Sequence, residues 1–334
     1  MSARTPASLR GFVVLFLVLA GAIFLRLSIG PIADDGGTRL SFALPDWEIL
    51  GLRALSVASA AIVGATLGLS GLSLQSLLRN PLASPFVLGV SGGAGFGVAA
   101  VLAIGYLFAW SPTGAFPREA LGAVAGASLA LVIVARFGRA GEGHDPTTLI
   151  LAGVILGAIF SAGTALLEQL VPHGLRGDLL SWMSGRLPEI PRAANLATIG
   201  VATVCGFAVL AMSARALDVS MLSDDEARSS GIRLSALRSR LFWTGGILAG
   251  LAVAYAGPIG FVGLVGPHMA RRLLGPRHAL LVPGSALAGA ALLVAADAVR
   301  QTIDLGSGRL PVGVVTALAG GPAFLWLLRK GAVR

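Results

Sequence analysis

Apolar residues gather into ten stretches along the chain, at 9–29, 55–78, 85–108, 120–135, 147–170, 193–212, 241–256, 259–274, 280–299 and 311–328. A helix of about 20 apolar residues covers the hydrocarbon core of a bilayer, so each stretch is expected to be a membrane-spanning helix. The seventh and eighth are short and meet at Gly257-Pro258, which also allows one bent element. Between the stretches the chain is polar only briefly. The two largest hydrophilic segments, 31–47 and 215–240, are too short for a catalytic domain. The expected fold is therefore one all-α integral membrane domain of about ten transmembrane helices over residues 1–334. Arg4 and Arg10 as a basic region, with Ala20-Gly21-Ala22 further along the first stretch, also fit a signal peptide.

Charge orients the spans. With both termini inside, most of the 25 basic residues fall at inner ends and most of the 16 acidic residues at outer ones. That bias supports an N-in, C-in arrangement. Trp47, Trp110 and Trp182 then lie at outer span ends and Trp243 and Trp326 at inner ends, as interfacial aromatics do.

Composition agrees. The 334 residues are 55% hydrophobic and only 12% charged, and the mean hydropathy is +0.84. A soluble domain carries about 25% charged residues. Glycine reaches 46 residues, and small residues let membrane helices approach closely. The net charge of +9 is scattered singly between apolar runs, which argues for loop anchoring and against nucleic acid as a partner. Cys205, the single cysteine, has no internal disulfide partner and is expected to be a small core residue.

Several chemistries are missing. Lys330 is the only lysine, and no GxxxxGK[ST] loop precedes it, so this chain has no P-loop to hydrolyse ATP. The glycines from Gly89 to Gly97 lie in an apolar span with no preceding strand and read as a helix-packing surface. His144, His173, His268 and His278 are far apart in sequence and suggest no metal site. An ion-coupled carrier would need carboxylates in the membrane. Only Asp297 and Glu168 qualify, and Asp297 has Arg300 one turn away as a partner.

Three segments carry more specific information. Ser70 to Pro85 contains Arg79-Asn80-Pro81-Leu82-Ala83 and leads into Leu88-Gly89-Val90-Ser91-Gly92-Gly93. Asp224-Asp225-Glu226-Ala227-Arg228 precedes Gly231. Ala256-Gly257-Pro258-Ile259-Gly260-Phe261 runs on to Gly266-Pro267-His268, with Arg309-Leu310-Pro311-Val312-Gly313 downstream. Together, over roughly residues 53–330, they resemble the FecCD family of ABC importer permeases, which take up iron chelates, haem and vitamin B12.

The resemblance implies a type II ABC importer permease fold that binds no cofactor itself. ATP and magnesium would act on two separate ATPase subunits. A second permease copy or close homologue and an extracytoplasmic binding protein would complete the importer in the bacterial cytoplasmic (inner) membrane. It implies a cytoplasmic gate at Asn80 and Leu82, where Pro81 ends a helix, with Thr147 beside it next to Pro146. It implies an ATPase-coupling segment within 218–238, formed by Asp224, Asp225, Glu226, Ala227, Arg228 and Gly231. On the outer side it implies binding-protein contacts at Arg53, Arg300 and Arg309. The pairs Gly257-Pro258 and Gly266-Pro267 are expected to break helices along the translocation path. A ferric siderophore is the expected substrate, with haem or cobalamin as alternatives and an ion-coupled carrier as the rival of another class.

Overall fold

In the computed structural model the described residues are 7–34, 37–42, 46–109, 118–140, 143–303 and 309–329. Trp110 and Lys330 lie outside them, as do the side chains of His144 and Trp326. The chain begins with α1 (Ala7–Ser28), a hairpin of β1 (Ile29–Asp34) and β2 (Gly37–Phe42), and α2 (Trp47–Leu77). A 3-10 turn (Pro85–Leu88) leads into α3 (Val90–Leu107), then α4 (Arg118–Phe137). The short pair β3 (Arg139–Ala140) and β4 (Gly143–His144) precedes α5 (Pro146–Leu170) and α6 (His173–Met183). The rest is helical: α7 (Ala193–Ser220), α8 (Asp224–Ser229), α9 (Leu234–Ala256), α10 (Val262–Leu274), α11 (His278–Gln301) and α12 (Val312–Arg329).

Helices occupy each of the ten apolar stretches, and 7 of those described are long and apolar enough to cross a membrane. α9 and α10 are two helices, not one bent element. α6 has no counterpart among the expected spans, because its sequence is too polar and short for the hydropathy criterion.

The burial pattern shows which helices lie inside. The apolar window of α2 is 67% buried and that of α11 61%, against 17% for α1 and 22% for α5. α2 is therefore the central post, and its composition suits the place. Ser70 and Ser73 donate to the carbonyls of Gly245 and Leu241 on α9, at 2.6 and 2.8 Å. The Thr66 hydroxyl meets Thr203 of α7 at 2.6 Å, and Ser59 meets Tyr255 of α9 at 3.0 Å. These four α2 hydroxyls each find a partner on a neighbouring helix, which lipid cannot supply.

Close backbone approach explains many of the glycines. Methyl groups at Gly93 or Gly97 of α3 would collide with the carbonyls of Gly126 and Gly122 on α4, and the reverse holds too. The Gly89–Gly97 run is thus a packing face, as its position in an apolar span suggests. Gly71 of α2 lies against the Gly263 carbonyl of α10 in the same way.

α1 is an integral part of the bundle. Leu15 is fully buried, Gly11 touches the Leu273 carbonyl, and Arg26 donates from Nε to Asp297 of α11 at 2.5 Å. Cys205 corrects the expectation of a core position: it is exposed, on the outward face of α7 with Val201 and Val204.

Candidate gate and coupling elements

α2 ends in a turn built by its own residues. The Asn80 N–H donates to the Gln75 carbonyl and the Arg79 N–H to that of Ser76, which caps the helix C-terminus with Arg79 in the left-handed region at φ 46°. Glycine is the usual residue there, and a larger one costs on the order of 1–3 kcal/mol in strain. Asn80 then folds its side chain back to accept from the Leu82 N–H at 2.9 Å, and Pro81 prevents the helix from continuing. Leu82 is left 40% exposed at the tip. Thr147 is exposed in the first turn of α5. The cap of that helix is Asp145, whose carboxylate accepts from the Thr148 N–H at 2.8 Å and the Thr148 hydroxyl at 2.7 Å. These two bonds hold the Asp145 carboxyl below its ordinary pKa.

The 218–238 segment folds as the end of α7, the six-residue α8 and the start of α9. Ser223 and Glu226 cap α8 reciprocally, the Ser223 Oγ accepting from the Glu226 N–H and Glu226 Oε2 accepting from the Ser223 N–H at 3.0 Å. Asp224 and Asp225 favour the same helix end electrostatically. Gly231 closes the far end at φ 81°, with the Ile232 N–H donating to the Ala227 carbonyl. Ala227 is fully buried, and Arg228 is partnered and lies in the last turn.

Asp224 joins three elements. Its Oδ1 accepts from Arg79 at 2.6 Å, and its carboxylate also accepts from Arg238 of α9 at 2.8 and 3.0 Å. Burial pushes the Asp224 carboxyl up, but the bonds from Arg238 and Arg79 outweigh it and hold it below its ordinary value. Side chains a third exposed, such as Arg79 and Asp224, add only about 0–1 kcal/mol to stability. A second tie runs beside the first. His278, at the start of α11, bonds Asp218 through Nδ1 at 2.7 Å and Ser76 through Nε2 at 3.1 Å.

The opposite end of the bundle holds the helix break. Gly257 terminates α9 at φ 68°, where a side chain would collide with the Trp182 carbonyl. Residues 258–261 then run without helical structure, with Ile259 buried, to the start of α10. The Ala256 carbonyl accepts from the Arg186 N–H at 2.7 Å, and the Gly185 carbonyl accepts from the Gly313 N–H at 3.0 Å. The break, the loop after α6 and the start of α12 therefore meet at one backbone junction. Irregular chain at membrane depth needs such protein partners. A cavity of about 610 Å³ opens beside it, lined by Trp182, Tyr255, Arg186 and Asp178 among others.

Two expectations are corrected here. Gly266-Pro267 does not break the chain: α10 continues through Pro267 to Leu274. Only the bond to the Gly263 carbonyl is lost, and the tight packing of that residue on α2 holds the helix in line. Arg53 and Arg300 are not surface docking groups. Both are more than 90% buried. Arg53 donates to the Leu27 carbonyl at 2.7 Å, and Arg300 donates from Nε to Asp297 at 2.5 Å. Arg309 is half-buried and is the one of the three within reach of solvent.

From sequence, no role falls to Arg79, Asp218, His278 or Arg238. Arg79 lies inside the quoted motif and was the most legible of them; the others are brought together only by tertiary packing.

Seven described helices long and apolar enough to cross a membrane, packed around a hydroxyl-lined central helix, define a multi-pass membrane protein. The FecCD transport family model matches residues 12–330, so the chain belongs to that family. It is 34% identical over 335 residues to the hemin transport system permease protein HmuU of Yersinia pestis, covering 97% of this chain and 96% of that protein. It is 40% identical over 290 residues to the vitamin B12 import system permease protein BtuC of Salmonella typhi, covering 86% and 84%. Among solved structures, a metal-chelate type ABC transporter in an inward-facing conformation superposes with a TM-score of 0.81 at 29% identity, over 96% of this chain and 99% of that one. The chain is accordingly a permease subunit of an ABC importer of the metal-chelate, haem or vitamin B12 type, a transport protein and not an enzyme. Its place is the bacterial inner membrane. The family implies ATPase and substrate-binding partners.

Proposed function

We propose that this permease carries a ferric siderophore or closely related metal chelate into the cell, with ten crossings and both termini in the cytoplasm. The superposition on a metal-chelate type ABC transporter supports a chelated metal as the cargo.

In this reading Asn80, Leu82 and Thr147 form the cytoplasmic gate, and α8 with Gly231 docks on the ATPase. The partners are two ATPase subunits carrying ATP and magnesium, a second permease copy or close homologue, and an extracytoplasmic binding protein that meets Arg309. The broken segment at Gly257-Pro258 lines the path. Asp297 counts against the ion-coupled rival, because both of its oxygens are already held by Arg26 and Arg300.

Uptake of labelled ferric siderophores, haemin and cobalamin, compared in cells with and without the gene, tests the substrate. The expected result is loss of ferric siderophore uptake alone. Loss of haemin or cobalamin uptake instead would overturn the siderophore assignment while leaving the importer class in place.

A further inference from the structure

Arg79 is in an unfavourable backbone conformation, and nothing local requires an arginine there. Glycine would make the same helix cap without strain. What the arginine adds is a guanidinium that reaches the first residue of α8. Backbone strain kept at one residue points to a use for its side chain. The pair it makes is too exposed to be retained for stability. Its position is the informative feature: Arg79 precedes Asn80 directly, and Asp224 opens α8. The Ser76–His278–Asp218 chain links the same last turn of α2 to the segment just before α8. The polar segment 218–224 is therefore fastened at one end to the turn that carries Leu82, through Arg79, and at the other to the last helical turn of α2, through His278 of α11.

We propose that Arg79, through Asp224, is the positioning residue that makes the gate turn move with α8, so that displacement of α8 by the ATPase opens or closes the cytoplasmic gate. This deepens the proposed function and rests on its reading of α8 as the ATPase contact. Arg238 holds Asp224 from the α9 side and keeps its carboxylate aimed at Arg79. Coupling requires an element whose equilibrium both sites bias, and a gate turn tied to α8 would be that element.

The test uses the complete importer, with permease, ATPase and binding protein, reconstituted in proteoliposomes. Substrate taken up per ATP hydrolysed is compared for wild type, Arg79→Gly, Asp224→Asn and the double variant. Arg79→Gly is expected to lower that ratio about tenfold, within the usual range of site-to-site coupling, while its melting temperature stays level or rises as strain is relieved. Asp224→Asn should lower the ratio similarly, and the double variant should be no worse than either single one, because all three break the same link. An unchanged ratio in Arg79→Gly, or a loss accompanied by a lower melting temperature, would overturn the proposal. A further variant, with 224–229 replaced by a Gly-Ser linker, separates the two levels. Loss of ATPase binding in the linker variant alone, with Arg79→Gly transporting normally, removes only the Arg79 link. A linker variant that still binds ATPase and transports removes the reading of α8 and the proposal with it.

Discussion

Asp297→Asn is expected to lower the melting temperature and the yield of folded protein markedly. Asp297 is 1% exposed, and its two oxygens each accept from the Nε of a buried arginine, Arg26 of α1 and Arg300 one turn further along α11. The carboxylate is thus the central negative charge in a positively charged cluster. An amide keeps the shape but leaves the arginines uncompensated. Breaking a buried pair by removing one partner costs about 3–5 kcal/mol, a large part of the 5–15 kcal/mol that holds a typical domain folded. Size-exclusion profiles and thermal melting of the solubilised protein measure the effect. A triple variant with Asp297→Leu, Arg26→Met and Arg300→Met should recover much of the loss, since apolar side chains of similar volume often replace a buried ion network without penalty. A single Asp297→Asn variant that accumulates and melts like wild type would show that the cluster is not the clamp for α1.

Gly71→Val is expected to do comparable damage for a different reason. Even one added carbon at Gly71 overlaps the carbonyl of Gly263 on α10. The obstacle is backbone and cannot rotate away, so α2 and α10 must separate. Ordinary overpacking costs about 1–3 kcal/mol; separating the central helix from a neighbour exceeds that. Gly21→Ala is the control, because an added carbon there meets nothing within 4 Å and alanine favours the helix. The same melting assay should show loss for Gly71→Val and no loss for Gly21→Ala. Equal stability of the two would contradict the close α2–α10 contact.

Much of this architecture is legible in sequence because bilayer thickness sets a length that hydropathy can count. Each apolar stretch is occupied by helix, and the glycine run at Gly89–Gly97 read correctly as packing. The turn at Asn80-Pro81 and the break at Gly257-Pro258 were also readable, since proline and glycine act locally. Proline alone misled at Pro267, where packing of Gly263 on α2 overrides a local rule. Burial misled for Arg53 and Arg300. The family resemblance implied an outer docking surface for them, and only the fold brings Asp297 and the Leu27 carbonyl to meet them. The ties from Arg79 to Asp224 and from Ser76 through His278 to Asp218 span more than 140 residues of sequence and follow no spacing rule.

The central claim is an ATP-driven import permease. Its most direct test is uptake into proteoliposomes containing the permease, with and without its ATPase, energised either by ATP on the cytoplasmic side or by an imposed proton or sodium gradient. The account predicts uptake only with the ATPase and ATP present, and none from either gradient alone. Gradient-driven uptake by the permease without the ATPase would contradict it and identify an ion-coupled carrier.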